Sequence, residues 1–129
     1  MTVLIRYIWA LPWTLFGLVL ALPALLGGSF RIQNGVIEAH GSMLKWFLAR
    51  STFGIGGAIG ITFGHVIIAQ DENALAISRS HELIHVRQYE RWGPFFVPAY
   101  LASSLLVYCR GGRPYEDNCF ECEARRLSS

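Results

Sequence analysis

Two histidines one helical turn apart, with a glutamate beside the first, are the residues here most able to do chemistry: His81-Glu82-Leu83-Ile84-His85. At i and i+4 both imidazoles project from one helical face and can converge on a single cation, with Glu82 next to them. Zinc held this way draws the pKa of a bound water towards ~7, and a neighbouring carboxylate can take its proton as the hydroxide attacks a polarised carbonyl. His81 and His85 are therefore candidate metal ligands, and Glu82 is a candidate catalytic base. A surface helix carrying this pattern by chance is the competing explanation. The apolar Leu83, Ile84 and Val86, which would half-bury the motif, argue against it.

A catalytic zinc site needs a third protein ligand and an open fourth position. The segment Asn118-Cys119-Phe120-Glu121-Cys122-Glu123-Ala124-Arg125 offers Glu121, with Glu123 and Glu116 as lesser choices. HELIH followed by Glu121-x-x-Ala124 resembles the gluzincin metallopeptidases, especially small membrane-anchored members, over the stretch from Ser80 to Arg126. That resemblance implies Glu121 as third ligand, Zn2+ as cofactor and a peptide as substrate. The position after Ala124, commonly Asp in that family, is Arg125 here. On its own, Glu121 can equally be an exposed carboxylate pairing with Arg125 at i+4. Cys119-x-x-Cys122 with the two histidines would instead build a closed, structural Cys2His2 site.

The remaining polar groups have blander readings. His40 ends a strand and His65 lies among apolar strand residues, where a satisfied imidazole is the common outcome. Gln88 and Tyr89 continue the motif helix, Tyr89 as a packed ring, while Arg87 and Arg91 at i+4 form a cationic face towards head groups or a partner. Gly54, Gly56, Gly57 and Gly60 precede neither a Lys-Ser/Thr pair nor a helix, so they read as turns or close packing and not as a phosphate loop.

The elements that must position this chemistry follow from the pattern. Asp71-Glu72-Asn73 supplies cap chemistry for a helix that runs through the His pair to about Trp92, where Gly93-Pro94 stops it. Upstream, two alternating runs from Ser29 to His40 flank Asn34-Gly35 and read as a hairpin with a type I′ turn. Met43 to Arg50 is a short amphipathic piece, Thr52 to Gly64 a Gly-rich stretch, and His65 to Ala69 a β-branched strand. Downstream, Pro94 to Cys109 is apolar but reaches only ~22–24 Å as a helix, short for a bilayer crossing. A loop at Gly111–Pro114 then leads to a helix from Tyr115 to Leu127.

With 129 residues, 53 % hydrophobic and 16 % charged, the chain can bury one core. Its mean hydropathy of +0.37 is concentrated in two blocks. The first, Val3 to Leu26, carries Arg6 as its only charge and is long enough to cross a ~30 Å hydrocarbon core, and it lacks an A-x-A-like cleavage site. A net charge of +2 without basic-aromatic runs excludes a nucleic-acid groove, and three cysteines form no even disulfide framework. Arg31, Lys45 and Arg50 follow the first block and Arg6 alone stands at its start, which places the rest on the cytoplasmic side of a bacterial-type inner membrane.

The expectation is thus an α+β protein. Residues 1–28 form a transmembrane anchor helix, and 29–129 form a small zincin-like domain of antiparallel hairpin or sheet, HExxH helix and C-terminal helices. Two functions are expected of it: a membrane-anchored zinc metallopeptidase, or a non-catalytic subunit of a larger membrane complex with a structural or absent metal. Apolar Phe95, Phe96, Tyr100 and Leu101 would face the partner in the second case. The lipid bilayer is a partner in both.

Overall fold

The apolar N-terminal run is a helix in the computed structural model, which describes residues 3–33, 35–50 and 60–128. Helix α1 (Val3–Ala21) contains Pro12, and a 3-10 turn at Leu22–Leu25 follows with Pro23 at its start. Small residues on one side, Ala10, Gly17, Ala21 and Ala24, are buried and let the rest of the chain approach closely. A Cβ at Gly17 would stand 2.9 Å from Phe63 Cβ and 3.0 Å from Val66 Cβ. The helix is further tied by Tyr7 Oη donating to Gly35 O (2.6 Å), Trp9 Nε1 to Arg91 O (3.3 Å) and Trp13 Nε1 to Pro94 O (3.1 Å). The expected apolar helix is present, and it forms a wall of the domain.

Beyond it stands a four-stranded sheet in the order β1-β2-β4-β3. Strands β1 (Ser29–Gln33) and β2 (Val36–His40) form the expected antiparallel hairpin, with Gln33 opposite Val36 and Gly35 at φ +74°. Asn34 lies outside the described residues, as do Gly54, Gly56 and Gly57. The sheet is mixed and not antiparallel throughout: helix α2 (Ser42–Arg50) carries the chain away from β2, and β2 then pairs in parallel with β4 (Val66–Ala69). The burial of β4 explains the order. Its four residues are all buried, so it takes an interior position, whereas β3 (Gly60–Phe63) is only half covered at Gly60 and Ile61 and takes the edge. Strand β3 emerges from the end of the Gly-rich stretch, where periodicity gave no strand signal. His65 sits in the β3–β4 turn instead of inside the strand, next to Gly64 at φ +60°.

Helix α3 (Glu72–Trp92) begins where expected, with Asp71 accepting from Ala74 N at 2.7 Å. Gly93, at φ +60°, ends it and leads through a 3-10 turn into α4 (Phe96–Cys109). The last helix, α5 (Cys119–Ser128), is shorter than the Tyr115–Leu127 reading because Asn118 caps it. Asn118 Oδ1 accepts from Phe120 N at 2.8 Å, while its amide donates to Tyr100 O and Ser104 Oγ of α4. Among the described residues, two helical stretches, Val3–Leu25 and Glu72–Cys109, are long and apolar enough to cross a membrane.

Because Gly17 meets β3 and β4 backbone to side chain, a Gly17→Leu substitution should overpack this contact and cost on the order of 1–3 kcal/mol. A thermal melt in detergent is the check. Leu15→Met, on the exposed face, should stay within ~0.5 kcal/mol of the parent.

Candidate metal centre

Helix α3 presents His81, Glu82 and His85, and α5 crosses it to present Glu121. His81 Nε2 lies 2.9 Å from Glu121 Oε1, His85 Nε2 lies 3.2 Å from the same oxygen, and the two imidazole nitrogens are 3.2 Å apart. These three side chains each offer one ligand atom to a common point, a possible metal-binding triad. His85 and Glu121 are buried and His81 half-buried. Three atoms in a closed triangle cannot all hydrogen-bond one another well, since each N–H points at one acceptor.

The other ligand candidates are engaged elsewhere. Glu123 accepts from Gln88, Glu116 pairs with Arg113 at the surface, and Glu121 does not pair with Arg125. Cys119 and Cys122 are exposed, with Ser103 Oγ 3.2 Å from one sulfur and Arg125 Nη2 3.4 Å from the other, so the Cys2His2 arrangement is not what the fold assembles. His40 ends β2, half-buried. His65 is buried and bonds Glu90 at 2.8 Å, and its Nδ1 has no hydrogen-bond partner among the described residues. Tyr89 is the packed ring expected, its hydroxyl donating to Thr62 O. Arg87 and Arg91 are both exposed, and Arg91 lies 3.9 Å from Glu123. Phe96 and Tyr100 turn inward, while Phe95 and Leu101 stay 61 % and 59 % exposed. Clefts of about 280 Å³ at Tyr7 and His65 and about 240 Å³ at Phe30 and Glu38 are lined by other residues than the triad.

Three supporting residues are given no role at the site by the sequence reading. Gln88 Nε2 donates to Phe120 O (3.0 Å) and to Glu123 Oε1 (2.9 Å), so its Oε1 is the atom left facing His85 Nδ1 at 2.7 Å. A carbonyl oxygen there requires the proton on Nδ1, which leaves the Nε2 lone pair of neutral His85 directed at the triad. Thr62 of β3 donates its hydroxyl to the buried Glu82 carboxylate. Tyr100 Oη donates to Glu121 Oε2 at 2.7 Å, occupying the oxygen that the histidines do not use. Gln88 was foreseeable in part, since i+3 from His85 lies on the same face.

The electrostatics follow from burial. Desolvation alone would lower the His85 pKa, but the Glu121 hydrogen bond and the charges of Glu82 and Glu121 outweigh it and raise it to about 9. For Glu121 burial acts upward, and the hydrogen bonds from His81, His85 and Tyr100 hold it well below the ordinary carboxylate range. No family model, curated protein or solved structure matches the chain.

A cation at the triad must displace the proton that metal-free His85 holds below about pH 9, whereas Glu121 is already ionised. Metal affinity should therefore rise about tenfold per pH unit from neutrality and level off above the His85 pKa. Calorimetry in two buffers of different ionisation enthalpy should show the share of protons released by His85 at neutral pH fading as the pH rises through about 9. Replacing Gln88 by Leu should weaken metal binding by ~10–100-fold.

Proposed function

We propose that this chain is a membrane-attached zinc-dependent hydrolase, a metallopeptidase of gluzincin type, in which His81, His85 and Glu121 hold the ion and Glu82 is the base. The triangle of donor atoms carries the reading. Tetrahedral zinc with bonds of ~2.0–2.2 Å sets its ligand atoms about 3.3 Å apart. The three here stand 2.9, 3.2 and 3.2 Å apart. Two imidazoles and one carboxylate leave a fourth position for water, which is the pattern of catalytic rather than structural zinc. When bound, zinc would supply Lewis acidity and a nucleophilic hydroxide near neutral pH.

The remaining work belongs to the chain. Glu82 takes the proton of the attacking water and passes it to the departing amine, and Thr62 holds one carboxylate oxygen so that the other is free for that transfer. Gln88 keeps His85 in the ligating tautomer and clamps α5 to α3. A peptide suits the site because β3 is an edge strand of the sheet and carries Thr62. An extended chain added to that edge would run past the base. The membrane attachment rests on α1, and the cytoplasmic side on the basic residues around it and the free cysteines.

A second reading is a non-catalytic subunit whose metal is structural. It is favoured by α4, where Leu101, Leu105 and Leu106 are 59 %, 63 % and 57 % exposed and could meet a partner in a larger membrane complex.

Purified protein should contain close to one zinc per chain by elemental analysis, and the His81→Ala, His85→Ala double variant should contain none. Glu82→Gln should keep the metal and lose peptide hydrolysis by ~10²–10⁴-fold. Equal zinc in both proteins would remove the metal reading; retained zinc with no hydrolysis of peptide libraries by the parent would leave the subunit.

A further inference from the structure

Helix α1 is two-faced. Ala10, Gly17 and Ala21 look into the domain, while Leu4, Ile8, Leu11, Leu15, Val19 and Leu22 recur at spacings of three and four on the opposite side. That apolar row runs the length of the helix and is 43–69 % exposed throughout. We propose that this row lies flat in one leaflet of an anionic bilayer, so that α1 is an in-plane anchor and does not cross the membrane. The proposal rests on the membrane attachment argued above.

The first argument is what a crossing would carry with it. The domain flanks α1 from end to end: Tyr7 reaches Gly35, Thr14 Oγ1 accepts from His65 N, and Ala21 and Ala24 share a core with Ala39 and Leu44. A spanning α1 would draw the His65–Glu90 pair and the Arg31–Glu38–Arg79 cluster to hydrocarbon depth. It would also draw in β1, an edge strand exposed along its whole length, whose outer backbone groups need water or a partner. Lying in the interface, the helix keeps its apolar row in lipid and the domain in water.

The second argument is charge. No acidic residue precedes Glu38 in the sequence. Exposed Arg6 stands at one end of α1; Arg31 and Lys45, with side chains 50 % and 59 % exposed and paired with Glu38 and Asp71, lie on the strand and helix packed against the 3-10 turn that follows its other end. An in-plane helix lets cations at both ends meet the head groups of one anionic leaflet, which a crossing helix forbids.

The test uses the full chain made in a cell-free system with sealed phosphatidylcholine vesicles, with and without phosphatidylglycerol. The protein should float with the anionic vesicles, less so at high salt. Leu15→Glu should lower the floated fraction about tenfold, with the circular dichroism spectrum and zinc content unchanged. In a chain with Cys109, Cys119 and Cys122 replaced by serine, single probes Arg6→Cys and Leu127→Cys should both react with an impermeant maleimide from outside. Flotation with the Arg6 probe protected and the Leu127 probe reactive would overturn the in-plane placement but leave membrane attachment standing. A folded chain that does not float, and instead self-associates or binds another protein through this row, would overturn both.

Discussion

One carboxylate oxygen held against two imidazoles that precede it by 40 and 36 residues is the contact on which the rest of the arrangement depends. Bringing such groups together out of water is unfavourable unless each is hydrogen-bonded or paired, and unless the chain between them closes without strain. The intervening segment meets both conditions. Helix α4 leads away from the end of α3, and Asn118 fastens the return by bonding α4 with its amide and capping α5 with its carbonyl oxygen. Gln88 then joins the two site helices directly, one amide group serving His85, Phe120 and Glu123 at once. The rings of Phe96, Tyr100 and Phe120 pack against one another between these polar links.

What could be read in advance was what is local. The i, i+4 spacing put His81 and His85 on one face, Asp71 marked the start of their helix, and Gly93-Pro94 marked its end. Residue pattern alone left Glu121 open between ligand and surface carboxylate, because only the crossing of α5 over α3 decides which way that side chain faces. Resemblance, and not spacing, singled it out. Thr62 and Tyr100 were invisible for the same reason: a hydroxyl on a strand and one on an apolar helix acquire roles only when tertiary contacts supply their acceptors. The parallel pairing of β2 with β4 was likewise hidden, since a hairpin signal lies within a dozen residues whereas this pairing depends on how α2 and the segment after it cross over.

The sheet does more than pack, because its polar contacts fix how α3 is turned. Glu38 on β2 is 1 % exposed and accepts two hydrogen bonds from the Arg79 guanidinium, at 2.8 and 3.2 Å, two positions before His81. Thr62 on β3 holds Glu82, one position after it. A helix restrained at 79 and 82 by two different strands cannot rotate about its axis without breaking one restraint, and rotation is the motion that would carry His81 and His85 away from Glu121. Glu38 is buried while the Arg79 side chain is 26 % exposed, so the pair adds little net stability, because desolvation of the carboxylate offsets most of its attraction. Its value to the fold is therefore orientation. The direction in which the two imidazoles point is set by the strands that hold α3.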